Sequence, residues 1–165
     1  MPIAASDIYC RLSGGASNAN ANAALGGAKS TTNAPTRLFD DVTSTEASAG
    51  TIEYRCVYVH NGHASLTLQG AKAWAPSNTP STSTIVEIGV GTSATNGTEQ
   101  SVANERTAPT GVTFAPAATF AAAVDLGDIP PGQHRAIWLR RTVTAGAVAL
   151  ASDPVTIRAT GDTTP

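Results

Sequence analysis

The stretch that most restricts the fold is TIEYRCVYVHNGHASLTLQGAKAW, residues 51–74. Ile52, Tyr54, Cys56 and Tyr58 alternate with Glu53, Arg55, Val57 and Val59, the two-residue period that sends successive side chains to opposite faces of a strand. Asn61-Gly62 follows, a dipeptide that tolerates the positive φ of a type I′ turn, and Leu66, Leu68 and Trp74 recur at even spacing beyond it. The pattern predicts a β-hairpin. An isolated hairpin is marginal in water, so further strands are expected elsewhere in the chain.

Several segments meet that expectation. DIYCRL (7–12) and STSTIVEIGVG (81–91) carry β-formers and end at glycine-rich breaks; EQSVANE (99–105) and GVTFA (111–115) are weaker candidates. AAVDLGDIPPGQHRAIWLRRTV contains a strand, a Pro-Pro-Gly turn and a second strand, in which Ile137, Leu139 and Val143 alternate with Trp138, Arg140 and Thr142 while Arg141 interrupts the apolar face. DPVTIRATG (153–161) is the last strand, with DTTP expected to be loose. LFDDVTSTEASAG reads as a short apolar anchor and a polar turn ending at Gly50, and AATFAAAVDL as no more than a short turn of helix. Roughly eight strands separated by Gly, Pro, Asn and Thr clusters point to an antiparallel β-sandwich of jelly-roll or Ig-like type. With 5% aromatic and 13% charged residues, the composition favours such a thin all-β architecture over a helical bundle.

Residues 13–30, SGGASNANANAALGGAKS, contain one charge and one large apolar side chain, Leu25. Ordering a backbone costs roughly 1–2 kcal/mol per residue, which such a segment cannot offset by its own burial. It is expected to be an extended arm whose order comes from a neighbour. Its partner-binding positions are then Gly14, Gly15, Asn18, Asn20, Leu25, Gly26 and Gly27, with the glycines as bends and close-approach points and Leu25 as anchor. The chain accordingly divides into an N-terminal strand and extended arm, 1–45, and a β-sandwich domain, 46–165.

Sites of chemistry are sparse. The net charge of −2 provides no basic field for nucleic acid or an anionic membrane. Cys10 and Cys56 have no CxxC or Cys/His metal spacing and are expected to be free thiols, with a single disulfide between adjacent strands as the alternative. The N-terminus lacks the basic and apolar regions of a secretory signal and no apolar run is long enough to span a membrane, so a soluble protein made in the cytoplasm is expected. His60 and His63, flanking the Asn-Gly turn, have no carboxylate or Cys to complete a metal set, and His134 opens a strand as a surface residue. Asp40-Asp41 reads as a turn or capping pair. No nucleophile elbow, phosphate loop or zinc-protease motif occurs. No catalytic, cofactor or metal residue is therefore assigned. Asn96-Gly97-Thr98 is a turn. Arg140 and Arg141 must face opposite sides of their strand, so each either pairs with a carboxylate such as Glu53 or Glu87 or faces a neighbouring subunit.

LSGGASNANANAALGG, LFDDVTSTEASAGTIEYRCVYVHN, LTLQGAKAW and LGDIPPGQHRAIWLRRTVTAGA, in that order, resemble small structural virion proteins of tailed bacteriophages and prophages. The resemblance implies a non-enzymatic cement or decoration protein that binds the shell of major capsid protein on the capsid surface as a homo-oligomer, dimer or trimer. A β-sandwich component of the tail, neck or fibre of the virion is the alternative. A carbohydrate-binding module is a further alternative, and would need Trp74, Trp138 or the tyrosines to form an exposed platform.

Overall fold

The computed structural model describes residues 2–150 and 153–163. Its strands are β1 (Ile8–Leu12), β2 (Thr51–Asn61), β3 (Leu68–Ser77), β4 (Thr84–Val90), β5 (Val124–Ile129), β6 (His134–Val143) and β7 (Thr156–Asp162). They form two antiparallel sheets, ordered β1-β2-β6-β4 and β5-β3-β7. Of the tail DTTP expected to be loose, Asp162 ends β7, paired with Gln69, and Thr164 and Pro165 lie outside the described residues.

The apolar core lies between the sheets. Val57 and Val59 of β2, Ile137 and Leu139 of β6, and Val86 and Ile88 of β4 meet Leu68, Ala71, Ala73 and Ala75 of β3 with Leu126 and Ile129 of β5. The row of alanines on β3 lets the two layers approach closely. Alternation puts Tyr54, Cys56 and Tyr58 on the opposite face of β2, yet these are buried too, in a second cluster with Ala136 and Trp138 that Val102, Val112 and Phe114 cover. The four-stranded sheet is thus clad on both faces, by a sheet on one side and by loops on the other. A strand buried on both faces reads as a nearly continuous apolar run, and Tyr54 to Val59 has that character with only Arg55 intervening.

The loop cladding explains two strands that do not form. EQSVANE and GVTFA contribute only isolated bridges, Glu99 to Gly27 and Ala115 to Ile88, and are otherwise irregular. Their apolar residues Val102, Val112 and Phe114 are directed onto the outer cluster, so these segments cover a sheet and do not extend one. Seven strands result among the described residues.

The Asn61-Gly62 hairpin is also corrected. β2 pairs with β1 and β6, whereas β3 pairs with β5 and β7 in the other sheet. Neither Asn61 nor Gly62 has the positive φ that a type I′ turn requires. Asn61 is fully buried, and its amide donates to the carbonyls of Leu66 (2.8 Å) and Ile129 (2.9 Å) while its oxygen accepts from the His63 N–H (3.0 Å). Its backbone binds the neighbouring crossing as well: its N–H donates to Gln133 (3.0 Å) and its carbonyl accepts from Gly132 (2.8 Å). One asparagine therefore ties together two of the connections at which the chain changes sheet, β2 to β3 and β5 to β6. Gly62 is required for space, since a Cβ there would lie 2.2 Å from the Tyr9 ring.

Helix α1 (Ser44–Ala49) replaces the turn expected over TSTEASA. The Thr43 hydroxyl accepts from the Glu46 N–H (3.2 Å), and the Glu46 carboxylate accepts from the Thr43 N–H (2.9 Å), a reciprocal capping box. AATFAAAVDL yields a single 3-10 turn at Phe120–Ala122. Both cysteines are free. Cys10 pairs in register with Val59, so Cys56, three residues away, lies on the other face of the sheet and no disulfide geometry arises.

Candidate functional site

β1 covers only residues 57–61 of the edge of β2. The exposed remainder of that edge is taken by loop carbonyls: Ala24 accepts from Cys56 N–H (2.7 Å) and Glu105 from Tyr54 N–H (2.7 Å). Residues 13–34 are drawn onto the sheet by this and by a series of further bonds. Leu12 and Ser30 bond to Thr32 and Leu12, Ala34 bonds to Cys10, and Gly27 and Leu25 exchange bonds with Glu99 and Val102. The buried Ser13 hydroxyl donates to the Cys56 carbonyl (2.8 Å) and accepts from the Gly26 N–H (3.1 Å). The Tyr58 hydroxyl donates to the Gly27 carbonyl (2.6 Å) and accepts from the Glu99 N–H (2.9 Å); burial of this ring pushes its ionisation up to about 12, so it stays a donor at any ordinary pH.

The expected projecting arm is therefore a strap folded onto its own chain. Gly14, Gly15, Gly26 and Gly27 all have positive φ, as bends should, but the surface they approach is internal. A Cβ on Gly26 would lie 1.8 Å from the Gln100 carbonyl oxygen. Asn18 donates to the carbonyls of Ser13 (2.6 Å) and Asn20 (3.1 Å), and Asn20 caps the turn at Asn22 (3.0 Å). Leu25 is half-buried and acts through its backbone, accepting from Val102. Nor does the boundary at residue 45/46 separate two packing units, because β1 is a strand of the four-stranded sheet. The reasoning from side chains failed here because backbone groups, which every sequence supplies, hold the strap.

A second feature lies where the strap meets the sheet end. Arg55, with no exposure, points to the inner face of β2 beside Glu53, which is 1% exposed. Arg55 donates to the Glu105 carboxylate (2.6 Å), the Asn22 side chain (3.2 Å) and the Tyr54 carbonyl (3.1 Å). Across the register Arg141 on β6 faces Glu53 and donates to it through Nε (2.6 Å), and to the Asp40 carbonyl through Nη1 (2.7 Å). The Asp40 carboxylate stands 3.6 Å from Arg55 and 3.5 Å from Arg141, and Phe39 lies against both guanidinium groups. Burial raises the Glu53 carboxyl above its ordinary range, against the pull of Arg141.

Asp40, Glu53 and Glu105 offer oxygens within 4.8 Å of one another, the spacing of a cation site. The two guanidinium groups already engage those oxygens, so a cation would have to displace Arg55 and Arg141 from a closed set. The cluster is an ionic tie between residues 39–41, β2, β6 and the loop at Glu105. A shallow groove of about 300 Å³ runs past it, lined by Asn20, Ala21, Asn22, Arg37, Phe39, Asp40 and Asp41.

The remaining candidates are also placed. Arg140 pairs with Glu87 (2.8 Å) over the Phe114 ring, so both arginines of WLRR engage carboxylates of their own chain. His63 accepts two backbone N–H bonds at Nδ1, from Ser65 (3.2 Å) and Leu66 (3.0 Å), and shares no site with His60. Trp138 is fully buried, while Trp74 is half-buried and meets the exposed Phe120 edge-on. Sequence reading missed Arg55, Glu53 and Glu105 as a unit; the available signal was the position of Glu53 and Arg55 on the Val57 and Val59 face of an apolar strand. No family model, curated protein or solved structure matches the chain.

Proposed function

We propose that this protein is a non-enzymatic structural component of a tailed-phage virion, a cement or decoration protein that docks on the major capsid protein shell as a dimer or trimer. The observation that carries the reading is the end of the four-stranded sheet that the loops leave bare. Ile52 on β2 and Ile85 on β4 both pair with Thr142 on β6, so the three side chains form one row across the outer face. Ile52 is 44% and Ile85 38% exposed. The adjoining row of that face, Tyr54, Arg140 and Glu87, is covered by Phe114 and salt-bridged, and an apolar row left open beside it suits a permanent neighbour. The polar side chains described above bond within the chain and leave no set of converging nucleophile, base and oxyanion donors, which favours a binding role over catalysis.

The resemblance carried by LSGGASNANANAALGG and LGDIPPGQHRAIWLRRTV supplies the class of neighbour. Strand connections support the jelly-roll over the Ig-like alternative, because each step from β2 to β7 changes sheet, whereas Ig domains keep consecutive strands such as D and E together. A glycan platform is disfavoured by the burial of Trp138 and the edge-on contact of Trp74. Binding of only the expanded shell would stabilise that state by mass action.

Ile52→Lys with Ile85→Lys should fold with an unchanged melting temperature, since both residues are exposed. Its retention on expanded shells of the cognate capsid protein in co-sedimentation should fall at least about tenfold, the effect of one or two interface anchors. Full retention would remove the proposed docking row.

A further inference from the structure

The opposite end of the same sheet face collects positive charge without an acidic partner. Tyr9 on β1, His60 on β2 and His134 on β6 form one register row, and Arg11 stands beside Tyr9 on the same face of β1. The Arg11 guanidinium lies 4.6 Å from the Tyr9 ring centre, and the His60 ring centre is 6.0 Å from Tyr9 and 6.5 Å from His134. Lys29 is carried toward this row by the strap, between Gly27, whose carbonyl accepts from the Tyr58 hydroxyl (2.6 Å), and Ser30, whose N–H donates to Leu12 (2.8 Å), and its ammonium donates to the Ser30 carbonyl (3.4 Å). Its ammonium is held below the ordinary lysine range by partial burial and by Arg11, and the same Lys29 charge helps burial to lower both His60 and His134.

Among the described residues no carboxylate forms an ion pair with Lys29 or Arg11. Glu99, near the Tyr58 hydroxyl, is already occupied: its carboxylate accepts from the Ser93 N–H (2.9 Å) and the Thr92 hydroxyl (3.0 Å). His134 Nε2 contacts the Gly97 carbonyl (3.3 Å), and Arg11 donates to the Thr31 carbonyl. Arg11 Nε, His60 Nδ1 and His134 Nδ1 have no hydrogen-bond partner. Four groups able to carry positive charge thus gather on a half-buried patch of a net-negative protein, with no carboxylate among the described residues to balance them. Like charges gathered without a counter-ion repel one another, and a single bound anion offsets that repulsion.

We propose that Lys29, Arg11, His60 and His134 form a binding site for a single oxyanion group, a carboxylate or a phosphate. The site is independent of the bare isoleucine row and of the virion reading. An acidic side chain of a neighbour and a free phosphate share the required chemistry, a planar or tetrahedral set of oxygens facing an ammonium, a guanidinium and two imidazoles.

The test is an NMR titration of the histidine ring signals of the full chain against sodium phosphate, sodium acetate and sodium chloride at matched ionic strength, with His63→Gln used to assign the three rings. Phosphate or acetate should raise the midpoints of His60 and His134 saturably, by roughly one pH unit for an opposite charge at contact distance, and leave His63 unmoved. A response to acetate identifies a protein carboxylate as the natural occupant, and a response to phosphate alone identifies phosphate. Lys29→Ala should weaken the saturable response about tenfold and Lys29→Arg should restore it. Unmoved midpoints, a shift equal to that with chloride, or a Lys29→Ala protein that responds as the wild type does would overturn the site.

Discussion

Arg141→Met should lower the unfolding free energy by about 3–5 kcal/mol, the cost of leaving a buried charge without its partner. Glu53 is the group stranded: it is 1% exposed, and the Arg141 guanidinium is the only cation that bonds to it among the described residues. With burial already driving its carboxyl toward the neutral form, Glu53 would take up a proton in the variant and lose its acceptor role. The Glu53→Met, Arg141→Met double variant should recover most of the loss, because an apolar pair of similar volume removes both desolvation penalties. Urea unfolding of the two single variants and the double variant measures this cycle. A loss below about 1 kcal/mol for Arg141→Met would show that the pair behaves as a surface contact.

The second large effect concerns the strap. Deleting residues 13–37 should abolish cooperative folding, since it removes the Gly27 carbonyl that takes the buried Tyr58 hydroxyl and the Ser13 hydroxyl on Cys56, and frees the β2 edge at Cys56. Gly26→Ala is the graded version. Its Cβ would be placed 1.8 Å from the Gln100 carbonyl oxygen, at a φ of 91°, and the combined clash and strain should cost roughly 2–4 kcal/mol. Thiol labelling reads the same event locally. In the native protein both thiol ionisations are pushed up, that of Cys10 to about 11, but Cys10 is exposed and Cys56 is buried, so Cys10 should be labelled well before Cys56. Gly26→Ala should make Cys56 reactive as well. A deletion variant that unfolds cooperatively, with Cys56 still protected, would return the strap to the status of a dispensable arm.

These two features also show where the sequence was readable. The alternation at Ile137, Leu139 and Val143, and the β-rich runs at 7–12 and 84–90, marked strands because side chains carry that period. Pairing was not readable in the same way. Asn61-Gly62 satisfies the local chemistry of a hairpin turn, yet the buried Asn61 amide is used on Leu66 and Ile129, and only the tertiary fold shows that its acceptors lie across a change of sheet. For residues 13–30 the composition offered little apolar burial to set against the cost of order. The fold answers with main-chain bonds and with Ser13, Asn18 and Ser30, small polar residues whose value depends on what surrounds them. The Thr43 to Glu46 capping box was present in the letters TSTE and passed over. Arg141, which broke an apolar face in the sequence, proved to be the mark of the buried tie to Glu53 and Asp40.

The virion reading is tested most directly by counting copies of this chain in the purified particle by quantitative mass spectrometry, against the major capsid protein as internal standard. A cement protein is predicted at an amount comparable to the shell protein, falling away when the shell is left unexpanded. A count no greater than one or two rings would place the protein at the neck or tail, and its absence from the particle would contradict the structural role altogether.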